Sequence, residues 1–349
     1  MKINTKCGLF AIYNFDNPHK TVDHTINGLA TLQHRGQESA GIAYIPDTDK
    51  LTIYKNNGLV ENIFKNFPTI STTVCIGHVR YSTSGRSMTE NEKLLEAQPL
   101  LGENKFGKFA MAFNGNLPHF KSTKEEVSDT FYLLKLFETT DAADWEELLQ
   151  KVDKVVKGVY CILILAGETL FIMRDRYGYK PYCIGISRDK VGWCISSESY
   201  AINQNGEYGF FRDISPGEIS CISHNAYRFI HQSCAGLIRR CMFEYIYFMN
   251  PASVFDGLGI DEIRYKFGEK LAQNDQYHYE TDKTIVVGCP NSGIIGGKGY
   301  AAKKTLAYLQ VIKKKKHIQR SFIMPSDEER VMTCKTKYEI DGNNLEHDL

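Results

Sequence analysis

The chain has no pair of cysteines at C-x-x-C spacing, no long apolar run and almost no net charge. Its ten cysteines are scattered, which argues against a zinc or redox motif and indicates mostly buried structural thiols. A membrane-spanning helix needs roughly 18 apolar residues in a row, so a membrane protein is not expected. A net charge of +1 over 349 residues gives no sign of nucleic-acid or membrane binding. The first six residues are too short and too polar for a signal peptide, so we expect a cytoplasmic protein.

Strand-like runs lie on both sides of a pair of helical segments in residues 7–220. Apolar and alternating runs predict strands at 7–13, 40–45, 51–54, 74–81, 109–113, 159–165, 169–174, 182–186 and 192–197. Helical spacing predicts three helices in this part of the chain. One covers about 22–33, one begins after a cap at Ser128 or Asp129, and one runs from 145 to 155. Asn114-Gly115-Asn116 has the composition of a turn that ends the strand before it. This order favours layered sheets covered by helices over alternating βαβ units.

The pattern changes near residue 240. An amphipathic helix is predicted from the spacing of Ile260, Ile263, Phe267 and Leu271, and the run 284–288 is a fully apolar strand. A glycine-rich turn and a helix from about 295 follow that strand. Because α/β phosphate sites are built in this way, a second, α/β domain is predicted.

Two basic or polar segments follow in this second part of the chain. The lysine run 313–316 is either a solvated face or part of a phosphate-binding surface. Residues 339–348 are expected to form a disordered tail.

Cys7 is the candidate nucleophile. A free thiol with a pKa of about 8.5 is mostly protonated at neutral pH and needs a base. If residues 1–6 are removed as a propeptide, the α-amino group of Cys7, with a pKa of about 7.7–8.0, supplies that base. A lone cysteine in an N-terminal apolar strand is more often a core thiol, so this hypothesis depends on the segments that follow.

Six segments, in this order, resemble the class II, N-terminal-nucleophile (Ntn) glutamine amidotransferase domain. They are Cys7-Gly8, 32–41 (LQHRGQESAG), 77–85 (GHVRYSTSG), 96–99 (EAQP), 113–117 (FNGNL) and 128–130 (SDT). The resemblance implies an α+β Ntn-hydrolase fold, an αββα sandwich, over 7–235. It also implies hydrolysis of glutamine through a γ-glutamyl thioester on Cys7.

The same resemblance implies roles for individual residues. Asn114 and Gly115 correspond to the oxyanion hole. Arg80 and Asp129 correspond to the groups that bind the α-carboxylate and α-ammonium of glutamine. Arg35 and Gly36 correspond to the loop that supports the nucleophile at the glutamine site.

Later segments single out the phosphoribosylpyrophosphate (PRPP) amidotransferase family. The most specific is 241–248 (CMFEYIYF), and 174–181, 196–199 and 214–218 are also similar to that family. The resemblance implies a phosphoribosyltransferase-like domain over 236–349 that combines channelled ammonia with PRPP and Mg²⁺ to give 5-phosphoribosylamine, the first step of purine synthesis. Its candidate PRPP contacts are Ser292, Arg320 and Lys337, with Ser292 also the candidate metal contact. Members of the family form homo-oligomers.

Several features depart from that family. Its PRPP loop, an apolar run with two adjacent aspartates and a Ser/Thr/Gly-rich turn, does not occur in these 349 residues. We therefore expect an incomplete transferase domain with impaired activity. Asn291 replaces an acid, and Gly296-Gly297-Lys298 lowers helix propensity. Cys241 fits one ligand of the iron–sulfur cluster of some members, but the others are missing, so no cluster is expected.

Two alternative functions remain open at this point. One is a glutaminase that supplies ammonia to a separate partner. The other is a non-catalytic interaction or regulatory protein on the same scaffold.

Overall fold

A computed structural model describes residues 6–46, 50–81, 89–118, 128–224, 226–233, 236–315 and 327–341 of the chain. The chain divides into two compact units, the first formed by 1–244 and 248–256 and the second by 245–247 and 257–349. This division lies C-terminal to the 235/236 boundary suggested by the sequence. Among the described residues, no helix combines the length and apolar character needed to cross a membrane.

The first unit contains two antiparallel sheets. Its strands are β1 (Gly8–Asn14), β2 (Ser39–Tyr44), β3 (Thr52–Asn57), β4 (Val74–Arg80), β5 (Leu100–Asn104), β6 (Gly107–Asn116), β7 (Val159–Ala166), β8 (Thr169–Arg174), β9 (Cys183–Ser187), β10 (Gly192–Ser196), β11 (Tyr208–Asp213), β12 (Glu218–Ser223), β13 (Ala226–Gln232) and β14 (Val254–Phe255). The first sheet has the order β11-β9-β10-β1-β4-β2-β3, and the second has the order β13-β12-β8-β7-β6-β5.

Helices pack on the outer face of each sheet. The helices of the first unit are α1 (Thr21–Thr31), α2 (Val60–Ile63), α3 (Glu90–Glu96), α4 (Asp129–Thr139), α5 (Trp145–Val155) and α6 (Ser199–Gln204). Residues of α1 pack on the first sheet, and residues of α4 and α5 pack on the second. Ser128 caps α4 as expected, because its side-chain oxygen accepts a hydrogen bond from the backbone of Phe131 at 3.5 Å.

The period of two along each strand divides the core into layers. Leu9 and Ala11 of β1 face Ala110 and Ala112 of β6 in a cluster between the sheets. The intervening residues of these strands, such as Phe10 and Phe109, point outward to the helices. Burial of each such large side chain contributes about 1.5–3 kcal/mol. This αββα layering confirms the fold class predicted for the first unit.

The structure overturns the prediction that Asn114-Gly115-Asn116 forms a turn. All three residues belong to β6, and β7 pairs with them as far as Val159, which lies opposite Asn116. The prediction was wrong because local composition does not reveal a partner strand that follows some 40 residues later.

The second unit is built on two helices, α7 (Ile260–Asn274) and α8 (Gly293–Lys304). A Cβ atom added at Gly268 would lie only 1.8 Å from the carbonyl oxygen of Gly296. Gly296, one of the glycines that lower the helix propensity of α8, therefore lies where α7 and α8 approach each other closely.

Short strands and one more helix complete the second unit. They are β15 (Leu258–Gly259), β16 (Ile285–Val286), β17 (Ala307–Tyr308), β18 (Ile312–Lys314), α9 (Asp327–Lys337) and β19 (Tyr338–Ile340). β16 is shorter than the strand predicted at 284–288, and it pairs in parallel with β17. The prediction of a disordered tail is wrong for Glu339 and Ile340, because β19 pairs with β18. Residues 342–348 of that predicted tail lie outside the described part of the chain.

Candidate active site

Cys7 lies directly before β1, on the face of the strand that points between the two sheets. Its side chain is 7% exposed, and its thiol lies 4.0 Å from the carbonyl oxygen of Tyr81. Burial raises the pKa of the Cys7 thiol, and the backbone of Tyr81 and the charges of Arg80, Lys180 and Arg35 offset only part of this effect. A thiol in this environment needs a base before it can attack a carbonyl carbon.

Arg35 holds the main chain of Cys7 in place. Its Nε donates to the carbonyl oxygen of Cys7 at 3.2 Å. Its Nη1 lies 2.6 Å from Oε1 of Glu198, and its Nη2 lies 2.9 Å from Oε1 of Glu244. Lys180 also reaches Glu244, at 3.3 Å, and these charged side chains are all fully buried. The guanidinium of Arg35 thus contacts carboxylates and the main chain of the candidate nucleophile.

Glu198 is a functional candidate that the sequence motifs did not single out. Its carboxylate accepts hydrogen bonds from the backbone of Asn250 at 2.8 Å and from the Ser253 hydroxyl at 2.9 Å. His34 lies 2.8 Å from the other carboxylate oxygen, which is also the partner of Arg35. Burial alone would raise the pKa of Glu198, but His34, Arg35 and the hydrogen bonds hold it well below its ordinary value. The carboxylate is therefore charged, and it ties residues 250–253 to the support of Cys7.

Arg80 ends β4 among several carboxylates. Its Nη1 pairs with Glu38, and its Nη2 lies 3.4 Å from Oε2 of Glu96. Burial raises the pKa of Asp129, and the charge of Glu96 adds to that effect. A Cβ atom at Gly36 would lie 2.6 Å from the carbonyl carbon of Arg80, so a glycine is needed for the loop after α1 to pack there. A guanidinium beside several carboxylates suits a ligand that carries both a carboxylate and an ammonium group.

Asn114 supplies a fully buried amide whose nitrogen and oxygen have no hydrogen-bond partner among the described residues. Cys161 lies opposite it on β7. The Cys161 thiol lies 3.9 Å from the carbonyl oxygen of Pro181. The preceding residue, Lys180, reaches Glu244, which also pairs with the Arg35 that contacts the main chain of Cys7. Asn114 and Cys7 therefore lie at the same end of the layer between the sheets. An unpaired buried amide costs about 1–3 kcal/mol, which a ligand oxygen at this site could offset.

Gly115 and Asp129 complete this end of the first unit. A Cβ atom at Gly115 would lie 2.3 Å from the carbonyl oxygen of Val159. Alternate residues of β6 direct their N–H groups to the same side, so the N–H of Gly115 points to the β5 side, as that of Phe113 does. β5 begins opposite Met111 and does not extend far enough to pair with Gly115. Oδ2 of Asp129 accepts a hydrogen bond from the backbone of Leu117 at 2.7 Å, so the start of α4 is fixed to the end of β6.

Lys6, the residue before the candidate nucleophile, is packed rather than solvated. It is 6% exposed, and its ammonium lies 4.0 Å from the ring centre of Phe248 and 5.1 Å from that of Tyr81. Cation–π contacts of this kind contribute about 0.5–2 kcal/mol. Lys6 must leave this environment if Cys7 is to become the first residue.

The candidate PRPP contacts lie in the second unit or outside the described residues. Ser292 precedes α8 and borders a cavity of about 380 Å³ that is lined mainly by apolar side chains. Lys337 ends α9, and Arg320 falls outside the described residues. Over the described ranges, no group of three or more His, Cys, Asp or Glu side chains is arranged to hold a metal ion. Mg²⁺ is usually bound through one or two carboxylates together with phosphates and water, and none of the residues that line the cavity beside Ser292 is an Asp or Glu, so the lining of this cavity does not fit a magnesium site.

Comparisons with known proteins agree with this geometry. A sequence profile for a glutamine amidotransferase domain matches residues 86–204. The amidophosphoribosyltransferase of Methanocaldococcus jannaschii is 33% identical over 95% of this chain and 74% of its own length. The amidophosphoribosyltransferase of Bacillus subtilis is 31% identical over 96% of this chain and 70% of its own length.

Solved structures give the same result. The glutamine PRPP amidotransferase of B. subtilis, in complex with ADP and GMP, superposes with a TM-score of 0.79 at 30% identity, covering 96% of this chain and 72% of that one. A structure described as the allosteric regulatory enzyme of purine biosynthesis gives a TM-score of 0.80 at 31% identity, covering 96% of this chain and 71% of that one.

Proposed function

The chain belongs to the amidophosphoribosyltransferase family, and on this premise we propose that it releases ammonia from L-glutamine and transfers it to PRPP at the first step of purine biosynthesis. One observation carries the proposal. Cys7 and the unpaired amide of Asn114 lie at the same end of the layer between the sheets, where Arg80 also ends its strand.

The hydrolytic half-reaction uses residues of the first unit. Once residues 1–6 are removed, the α-amine of Cys7 takes the thiol proton, and Sγ bonds to the side-chain amide carbon of glutamine. The side-chain N–H of Asn114 and the backbone N–H of Gly115 stabilise the oxyanion, with a contribution of roughly 3–4 kcal/mol per donor. The C–N bond breaks, the proton passes to the leaving nitrogen, and ammonia departs. Water then hydrolyses the thioester to glutamate.

Glutamine is recognised through its two charged α-substituents. Arg80 binds the α-carboxylate, for which its planar fork provides two parallel donors. The carboxylate of Asp129 accepts a hydrogen bond from the α-ammonium group. Arg35 and Gly36 act at the same site by fixing the main chain of Cys7 and the end of β4.

PRPP is the proposed acceptor of the ammonia, and its site is assigned to the second unit. Ser292, Arg320 and Lys337 remain the candidate contacts. Because no carboxylate lines the cavity beside Ser292, we expect slower transferase turnover than in the B. subtilis relative. A cytoplasmic location and a homo-oligomeric state belong to the same proposal.

The test compares the mature N-terminus with glutamate release. Mass spectrometry of the purified protein is expected to show a chain that begins at Cys7, and Cys7→Ala is expected to abolish glutamate release. Cys75→Ala is the matched control, because Cys75 is a fully buried thiol in the same sheet whose side chain packs on the helix side. Equal glutamate release by the Cys7→Ala protein would contradict the proposal.

A second assay isolates the transferase half. PRPP, Mg²⁺ and an ammonium salt replace glutamine, and phosphoribosylamine is measured beside the B. subtilis enzyme. Slow but PRPP-dependent turnover is expected, whereas no turnover at all would restrict the proposal to the glutaminase half.

A further inference from the structure

Gln98 is a buried amide that joins two elements of the candidate glutamine site. It lies between α3 and β5 and is 4% exposed. Its Oε1 accepts a hydrogen bond from the backbone N–H of Phe113 at 2.6 Å. Its Nε2 donates to the Thr130 hydroxyl at 3.3 Å.

The reason for this arrangement lies in the start of β5. Leu100 pairs with Met111, and the same register continued backwards would bring residue 98 opposite Phe113. Pro99, between Gln98 and Leu100, has no backbone N–H with which to continue the pairing of β5 with β6. The side chain of Gln98 thus supplies an acceptor for Phe113 just beyond the end of the regular pairing, where a buried N–H needs a partner.

Both residues that Gln98 holds are direct neighbours of proposed glutamine contacts. Phe113 precedes Asn114 and Gly115, and Thr130 follows Asp129. The oxyanion donors act on the side-chain end of the substrate, and Asp129 acts on its ammonium end. We propose, on the basis of the glutaminase function set out above, that Gln98 is a positioning residue that fixes the separation between these two groups and so matches the site to the length of glutamine.

The two hydrogen bonds of Gln98 act on different parts of the reaction. The bond to Thr130 sets the start of α4 and therefore acts on substrate binding. The bond to Phe113 sets the strand that carries the oxyanion donors and therefore acts on the chemical step. If the amide had only a structural role, its loss would lower stability but would not change KM and kcat separately.

The experiment measures glutamate release and thermal midpoints for four variants. We expect Thr130→Val, which keeps the side-chain shape but lacks the hydroxyl, to raise KM for glutamine up to about tenfold with little change in kcat. Thr130→Ser restores the hydroxyl and is expected to bring KM back towards the parent value. Gln98→Met removes both bonds and is expected to lower kcat by about tenfold as well as raise KM.

Asn104 provides the matched control at the opposite end of the same elements. Its side chain accepts from the backbone of Phe106 at 2.9 Å and donates to the carbonyl oxygen of Phe137, near the end of α4, at 3.1 Å. Asn104→Ala therefore removes the same kinds of hydrogen bond far from the glutamine contacts. It is expected to lower the thermal midpoint while KM and kcat stay at the parent values. Equal kinetic effects of Asn104→Ala and Gln98→Met would overturn the positioning role.

Calorimetry with L-glutamine on a Cys7→Ala background separates this proposal from the function on which it rests. Weaker glutamine binding by the Thr130→Val and Gln98→Met proteins, with unchanged binding by Asn104→Ala, supports positioning even if the parent protein releases no glutamate. Unchanged glutamine binding in all variants contradicts the positioning role of Gln98 but leaves the proposed function intact. A Cys7→Ala protein that binds no glutamine overturns both proposals.

Discussion

Arg35 donates from Nε to the carbonyl oxygen of Cys7 at 3.2 Å, while its two terminal nitrogens face buried carboxylates. The contact is made to the main chain and leaves the thiol itself untouched. Glu198 and Glu244, which provide those carboxylates, lie 163 and 209 residues away in the sequence. The position of the candidate nucleophile thus depends on ion pairs that close only in the folded chain.

The first prediction concerns the stability of this cluster. Arg35→Met removes the cation but leaves Glu198 and Glu244 buried, so the free energy of unfolding is expected to fall by about 3–5 kcal/mol. Urea denaturation measures this change. Arg228→Ala is the control, because Arg228 forms a half-exposed pair with Glu146, and such surface pairs contribute about 0–1 kcal/mol. Equal losses in the two variants would show that the buried cluster does not stabilise the fold.

The second prediction concerns recognition of the glutamine carboxylate. Arg80→Lys keeps the charge but loses the planar fork, so KM for glutamine is expected to rise about tenfold or more while kcat changes less. Steady-state glutamate release measures both constants. Arg212→Lys is the matched control, since Arg212 makes a two-pronged pair with Glu218 elsewhere in the same unit. An unchanged KM in Arg80→Lys would remove Arg80 from the binding site.

The third prediction uses the unpaired amide of Asn114. Asn114→Leu replaces it with an apolar side chain of similar size, and kcat is expected to fall by about 10²–10³ because one oxyanion donor is lost. The free energy of unfolding is expected to stay the same or rise, because a buried polar group without a partner has been removed. A loss of stability with unchanged kcat would mean that the amide is structural.

The fourth prediction concerns the response of stability to acid. His78 is fully buried, and burial together with the charges of Arg80 and Lys55 lowers its pKa to about 3, against the opposing effect of the Phe113 backbone. The unfolded chain, with a histidine pKa of about 6.5, therefore binds one more proton than the fold between pH of about 6.5 and 3. Stability is expected to fall there by up to about 1.4 kcal/mol for each unit that the pH drops.

His78→Leu tests this linkage. Urea unfolding at several values between pH 7 and pH 5 is expected to show a shallower dependence on pH for the variant, with the two proteins most similar in slope near pH 7. Parallel curves over the whole range would mean that His78 is protonated equally in the folded and unfolded chain.

The sequence predicts most of the strands in the first unit but misses several at its edges. Runs of buried apolar residues locate β1, β4, β7 and β8 almost to the residue. β5, β11 and β13 were missed; each lies at the edge of its sheet, where exposed residues break the apolar pattern, as at both ends of β13. β12 was also missed, although it is buried between β13 and β8, because Glu218, Ser220 and Ser223 interrupt its apolar run. An edge strand needs a neighbour on one side only, so its composition is less constrained.

The sequence likewise predicts only part of the candidate site. Local motifs single out Cys7, Arg80, Asn114 and Asp129 as candidates, because each stands in a short segment that resembles a family motif. Single-sequence patterns carry no signal for pairings over long distances, so the partners of Arg35 and the bridging role of Gln98 could not be predicted. Glu198 lies within a quoted motif (196–199), but its link to residues 250–253 appears only in three dimensions.

The ion cluster around Arg35 also constrains how the protein is made. Cys7 is translated well before Glu244 and Ser253, which complete the cluster and follow it by about 240 residues. At roughly 5–20 residues per second, this interval is on the order of 10–50 s. A nascent chain therefore carries the candidate nucleophile without the contacts that hold it, and the proposed glutaminase site is complete only after the whole first unit has been synthesised.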